Sequence, residues 1–102
     1  NEDAVHIDST VKKINDFNTI RADLLQEGTK KVWMRVYFSV EHGYTPVKYE
    51  YMSREKPILT FEVQSLEQVA EGLWFPSSGV IYRAGGWSIS WPFCSVHPYW
   101  FR

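Results

Sequence analysis

Residues 32–53 read VWMRVYFSVEHGYTPVKYEYMS. Apolar and polar side chains alternate, the run breaks at Gly43-Tyr44, and the alternation resumes. A period of two is the signature of β-strands, in which successive side chains point to opposite faces of a sheet. Val32, Met34, Val36, Phe38 and Val40 fall on one face of the first strand. Trp33, Arg35, Tyr37 and Ser39 fall on the other. The returning strand sets Val47, Tyr49 and Tyr51 against Lys48, Glu50 and Met52. A two-residue type II′ turn at Gly43-Tyr44 would pair His42 with Thr45, Phe38 with Tyr49 and Val36 with Tyr51. The same register sets Pro46 opposite Glu41, where its missing N–H breaks no ladder bond.

Working outward, ILTFEVQ (58–64) presents Leu59, Phe61 and Val63 on one face. Matching them to Tyr49 and Tyr51 requires an odd number of intervening loop residues, because a one-residue slip would turn the set to solvent. LWFPSSGVIYR (73–83) changes phase across Pro76–Gly79, which predicts a bulge or a break. AGGW (84–87) reads as a Gly-Gly turn pairing Ala84 with Trp87, Tyr82 with Ile89 and Val80 with Trp91. The segment 8–28 is ambiguous. A helix from Ser9 would align Val11, Ile14, Phe17, Ile20 and Leu24, whereas Ile20, Ala22 and Leu24 also alternate as a strand. The expected fold is mainly β: an antiparallel meander of at least five strands forming a curved sheet or part of an incomplete barrel, with one N-terminal helix as the alternative.

The bulk composition suits that fold. The chain has 102 residues, enough for one small domain, 1–102, or for a fragment of a larger half-barrel domain. Aromatic residues make up 17%, and such side chains favour strands. Eleven basic and twelve acidic side chains give a formal charge of −1, so no electrostatic case exists for nucleic acid as a partner. No apolar run is long enough to be a transmembrane helix. The chain starts at Asn1 without a signal peptide, which suggests a processed or excised product.

Chemistry-bearing residues do not cluster. His6, His42 and His97 lack metal-ligand spacing, and His42 beside Gly43 belongs most simply to a turn. Cys94, three residues before His97, reads as a small buried hydrophobe rather than a nucleophile. Glu62, Glu67 and Glu71 form no acid–base pair. The expectation is no catalytic residue, no metal site, no cofactor and no enzyme. On the polar face Trp33 falls opposite Arg54, an arrangement that could stack bases but is explained more simply by a cross-strand cation–π contact. The aromatic tail Trp87, Trp91, Phe93, Tyr99, Trp100 and Phe101 reads either as a cap on the core or as an exposed patch for a partner or lipid.

Glu41, Gly43, Tyr44, Pro46, Val47 and Tyr49, followed by Val69, Gly72, Trp74 and Pro76, form an acidic-Gly-Tyr-x-Pro turn and a later v-x-G-x-W-x-P segment. Over roughly residues 30–82 these features resemble bacterial envelope proteins of the outer-membrane lipoprotein carrier type, the LolA/LolB-like superfamily. The resemblance also favours strands before Gly28. It implies an incomplete barrel around a helix-lidded apolar cavity that accepts acyl chains, in a periplasmic or cell-envelope protein acting without catalysis. On this chain the implied apolar ligand face is Val32, Met34, Val36, Phe38, Tyr49, Tyr51, Leu59, Phe61 and Val63. The alternative reading is a protein–protein module, or a homo-oligomer, joined through an exposed strand edge or the C-terminal tail.

Overall fold

The computed structural model describes residues 4–91. The expectations on Phe93, Cys94, His97, Tyr99, Trp100 and Phe101 lie outside the described residues. Seven strands follow one another as a single antiparallel meander: β1 (Val5–Ile14), β2 (Phe17–Leu25), β3 (Val32–Ser39), β4 (Thr45–Ser53), β5 (Lys56–Ala70), β6 (Leu73–Arg83) and β7 (Trp87–Trp91). The sheet stays open, with β1 and β7 at its edges. Its Cα radius of gyration is 15.2 Å, against about 13 Å for a compact domain of 100 residues. The molecule is therefore a broad layer rather than a filled ball.

The N-terminal segment resolves as two strands, which overturns the helical alternative. Asn15 and Asp16, at φ 48° and 70°, make the tight reversal that a continuous helix would not allow. Short polar side chains tolerate that left-handed backbone better than most.

The β3–β4 connection differs from the expected type II′ turn. Val40–His42 forms a 3-10 turn, and Gly43 and Tyr44 both adopt positive φ, 63° and 60°. The register accordingly moves by two residues, to Met34–Tyr51 and Val36–Tyr49, and a bulge at Val47 brings Phe38 opposite Pro46. Ser39, not His42, pairs with Thr45. A two-residue shift keeps Met34, Val36, Tyr49 and Tyr51 on their expected face. At β4–β5 a two-residue turn, Arg54-Glu55, is followed by a bulge at Ile58, between the pairs Tyr51–Leu59 and Met52–Pro57. The bulged residue supplies the odd count that the faces demand.

The β6–β7 expectation is off by one. The loop holds three residues, Ala84-Gly85-Gly86, and the observed pairs are Arg83–Trp87, Ile81–Ile89 and Gly79–Trp91. The Gly86 N–H donates to the Arg83 carbonyl at 3.1 Å, and the Ala84 N–H donates to the Ile58 carbonyl at 3.0 Å. Opposite Pro76–Gly79 the β5–β6 ladder shifts register between Val63 and Leu66 without parting. The phase change is a bulge.

Candidate functional site: an apolar row and a charged row on opposite faces

Residues directly opposite one another in antiparallel strands share a face. The registers therefore thread one unbroken row through all seven strands: Ile7, Ala22, Val36, Tyr49, Phe61, Ile81 and Ile89. Every member is apolar or aromatic. Ala22 and Val36 are buried, Tyr49, Phe61 and Ile81 half-buried, and Ile7 and Ile89 exposed at the two edges. A neighbouring row on the same face continues it with Leu24, Met34, Tyr51 and Leu59. The Phe61 ring lies edge-on to both Tyr49 and Tyr51, with centroids 6.4 and 6.1 Å apart. Among the described residues no second layer of structure lies over this face.

Eight of the nine residues expected to line an apolar ligand face fall into one block. Met34, Val36 and Phe38 come from β3, Tyr49 and Tyr51 from β4, and Leu59, Phe61 and Val63 from β5. Val63 continues toward the Val47–Phe17 cluster, where Leu66 and Trp91 pack against it. Val32 departs from the block. A bulge at Trp33 interrupts the alternation, and Val32 borders a cleft beside Arg35 and Met52 instead. Ile20, Ala22, Ile81 and Ile89 belong to the same face but were not singled out. Their strands gave ambiguous phase or a register off by one.

The opposite face carries charge at the same height. Its row is Asp8, Arg21, Tyr37, Lys48, Glu62, Val80 and Ser90, and the next begins His6, Asp23, Arg35 and Glu50. Ion pairs link neighbours along and between these rows. Arg21 meets Asp23 at 2.8 Å and Asp8 at 3.5 Å, Arg35 reaches Asp23 at 3.5 Å, and Lys48 lies 3.7 Å from Glu50 and 3.5 Å from Glu62. The Tyr37 hydroxyl donates to Glu50 at 3.0 Å, and the Asn15 amide donates to Glu62 at 2.9 Å. That last bond carries the β1–β2 turn across to β5, so the sheet coils at this end toward its charged face.

Each titration shift follows from this packing. Burial, then the Glu50 charge, pushes the Tyr37 hydroxyl up, and burial, then Tyr51, pushes Tyr49 up. The Thr10 backbone N–H, 2.9 Å from Asp8 Oδ1, holds the Asp8 carboxyl below the ordinary range. For Arg21, burial alone would lower the guanidinium, but Asp23 and then other anionic neighbours outweigh it and raise it.

Trp33 does not meet Arg54. Trp33 occupies the bulge and is 45% exposed, while Arg54 sits in the β4–β5 turn at φ 52°. The cation–π contact found on this face is Lys48 over the Tyr37 ring, at 5.4 Å. His42 is more than a turn residue. Its ring stands edge-on between Phe17 and Trp74, at 5.4 and 4.5 Å, and its Nδ1 lies 2.6 Å from the Ser39 hydroxyl. It thereby joins the start of β2 and the β3–β4 connection to β6. Ring neighbours this distant in sequence left no local signal. Among the described residues no group of three or more His, Cys, Asp and Glu side chains could hold a metal ion, and no helix is long and apolar enough to cross a membrane.

No family model matches the sequence, and no curated protein matches it. Among solved structures, the chain superposes on an outer membrane lipoprotein-sorting protein domain from Vibrio parahaemolyticus with a TM-score of 0.63 and 13% identity. The match covers 84% of this chain and 37% of that one, so the chain spans well under half the length of the domain it matches. Over that span the chain shares the fold of that lipoprotein-sorting domain.

Proposed function

We propose that this protein is a non-catalytic domain of the bacterial envelope that binds a lipid or lipoprotein-like apolar ligand against the apolar face of its sheet. The observation that carries this reading is the seven-residue row from Ile7 to Ile89. It crosses the full width of the sheet with no covering layer among the described residues. A soluble layer of this size would normally bury such a row under helices or a second sheet. A ligand with an acyl chain is an equivalent cover, and flat aromatic rings such as Tyr49, Tyr51 and Phe61 suit it. The fold shared with a lipoprotein-sorting domain supports the same reading and favours a periplasmic or envelope location.

Native mass spectrometry on protein purified without detergent tests this. A co-purified species of lipid mass is expected, lost on solvent extraction and absent from Phe61→Asp and Phe38→Asp protein that retains its strand signal. A ligand-free monomer with unchanged secondary structure would sink the reading.

A second reading is favoured by one observation. Edge strand β1 carries Val5, Ile7 and Val11 at 49%, 56% and 57% exposure, and an open edge of this kind pairs readily with another strand. A ligand-free dimer that dissociates on Ile7→Lys would move the assignment to edge-mediated association.

A further inference from the structure

We propose a second binding site, for the anionic head of an amphiphile, in the cleft between the β2–β3 loop and the β4–β5 turn. This site does not rest on the apolar-face reading, since Arg35 and Met52 belong to the charged side of the sheet. The cleft measures about 540 Å³ and is bordered by Lys30, Lys31, Val32, Arg35, Met52 and Glu55. Three cations and one carboxylate border it, with Arg35 also paired to Asp23, in a chain whose formal charge is −1.

Lys30 and Lys31 are exposed, and neither enters an ion pair among the described residues. The loop that holds them is nonetheless ordered by its own bonds. The Gln26 N–H donates to the Lys31 carbonyl at 2.8 Å and the Thr29 N–H to the Gln26 carbonyl at 3.0 Å. The Lys31 N–H donates to the Thr29 hydroxyl at 3.1 Å, and Gly28 takes φ 77° to close the reversal. The backbone that carries the two lysines is thus fixed beside the cleft.

Arg35 supplies a third donor. Its Nε is buried against Asp23 Oδ1 at 3.5 Å, while the side chain as a whole is 32% exposed. The other guanidinium donors suit a carboxylate or phosphate oxygen. Met52, buried, and Val32, half-buried, line the same cleft. Cationic and apolar side chains lining one cleft match a ligand that has both an anionic head and a hydrocarbon chain. The adjoining cleft, of about 880 Å³, is lined by His6, Asp23, Glu27 and Lys30 among others. Its mixed charges give no comparable preference.

The test is an NMR titration of the whole chain with dodecyl phosphate below its micelle concentration, with inorganic phosphate and a nonionic dodecyl glycoside in parallel. Amide shifts at Lys30, Lys31 and Arg35 are expected with dodecyl phosphate. The Lys30→Gln/Lys31→Gln protein should bind it at least about fivefold more weakly, and Glu55→Gln protein about twofold more tightly, as exposed ion pairs allow. Phe61→Asp should leave the shifts at Lys30, Lys31 and Arg35 unchanged while removing any along the apolar row, which separates the two sites. Equal shifts at those three amides with the nonionic glycoside, or with inorganic phosphate, would overturn the amphiphile assignment. So would unchanged affinity at those amides in the lysine double variant, or loss of their shifts in Phe61→Asp.

Discussion

At the scale of single residues, Gly79 shows how one position can hold a junction of this sheet. A Cβ placed there would collide with the Trp91 ring and with the Glu62 carbonyl. The indole of β7 lies over the glycine of β6, against the cluster of Phe17, Val47 and Val63. The Trp91 ring can swing aside, but the Glu62 carbonyl belongs to the β5 backbone and cannot. Gly79→Ala should therefore cost about 1–3 kcal/mol, the range for overpacking a well-filled site, read as a lower urea midpoint with unchanged slope. The sequence marked this region only as a change of phase. It could not reveal the glycine's neighbours, because Trp91 is twelve residues away and Glu62 seventeen.

At the scale of elements, the faces of this meander are set by its irregularities as much as by its regular pairs. The Ile58 bulge converts a two-residue turn into the odd count that keeps Leu59, Phe61 and Val63 beside Tyr49 and Tyr51. Deleting Ile58 should force those three side chains to the charged face or break the turn. We expect loss of the cooperative unfolding transition by far-UV circular dichroism. Ile58→Ala keeps the residue count, and the side chain is 46% exposed. It should cost less than about 1 kcal/mol, as exposed substitutions generally do. Near-equal stabilities for the deletion and the substitution would show that the bulge does not set the face. The parity requirement was legible in the sequence, while its solution by turn plus bulge was not.

At the scale of the whole molecule, the shifted groups predict a loss of stability at both ends of the pH range. Asp8 is held below the ordinary carboxylate range by the Thr10 N–H. Its contribution is present above the unfolded pKa of about 4 and is lost as the pH falls through the lower folded value. Tyr37 and Tyr49 are shifted upward by burial, and then by Glu50 and Tyr51. Their neutral forms stabilise the fold fully below the unfolded tyrosine pKa of about 10. That stabilisation declines as the pH rises from there through the folded values. Urea midpoints measured from pH 8 to 11 should fall from about pH 10 upward, with a shallower fall in Tyr37→Phe. An identical slope in that variant would remove Tyr37 from the account.

The sequence by itself determined that residues 32–53 form a hairpin, that Met34, Val36 and Phe38 share a face with Tyr49 and Tyr51, and that the fold is an antiparallel meander. All three follow from a period of two, which local side-chain order fixes directly. The resemblance to lipoprotein carriers was likewise carried by short turns whose geometry needs particular residues, Gly43 and Gly72 among them. The tertiary structure was needed to establish that the N-terminal stretch forms the strands Val5–Ile14 and Phe17–Leu25, since a nine- or ten-residue strand is stable only when a neighbour accepts its backbone bonds. It alone placed His42 between Phe17 and Trp74, and threaded Asp8, Arg21, Tyr37, Lys48 and Glu62 into one charged row. Those contacts join strands that lie far apart in the chain, and registers shifted by bulges leave no trace in composition or periodicity.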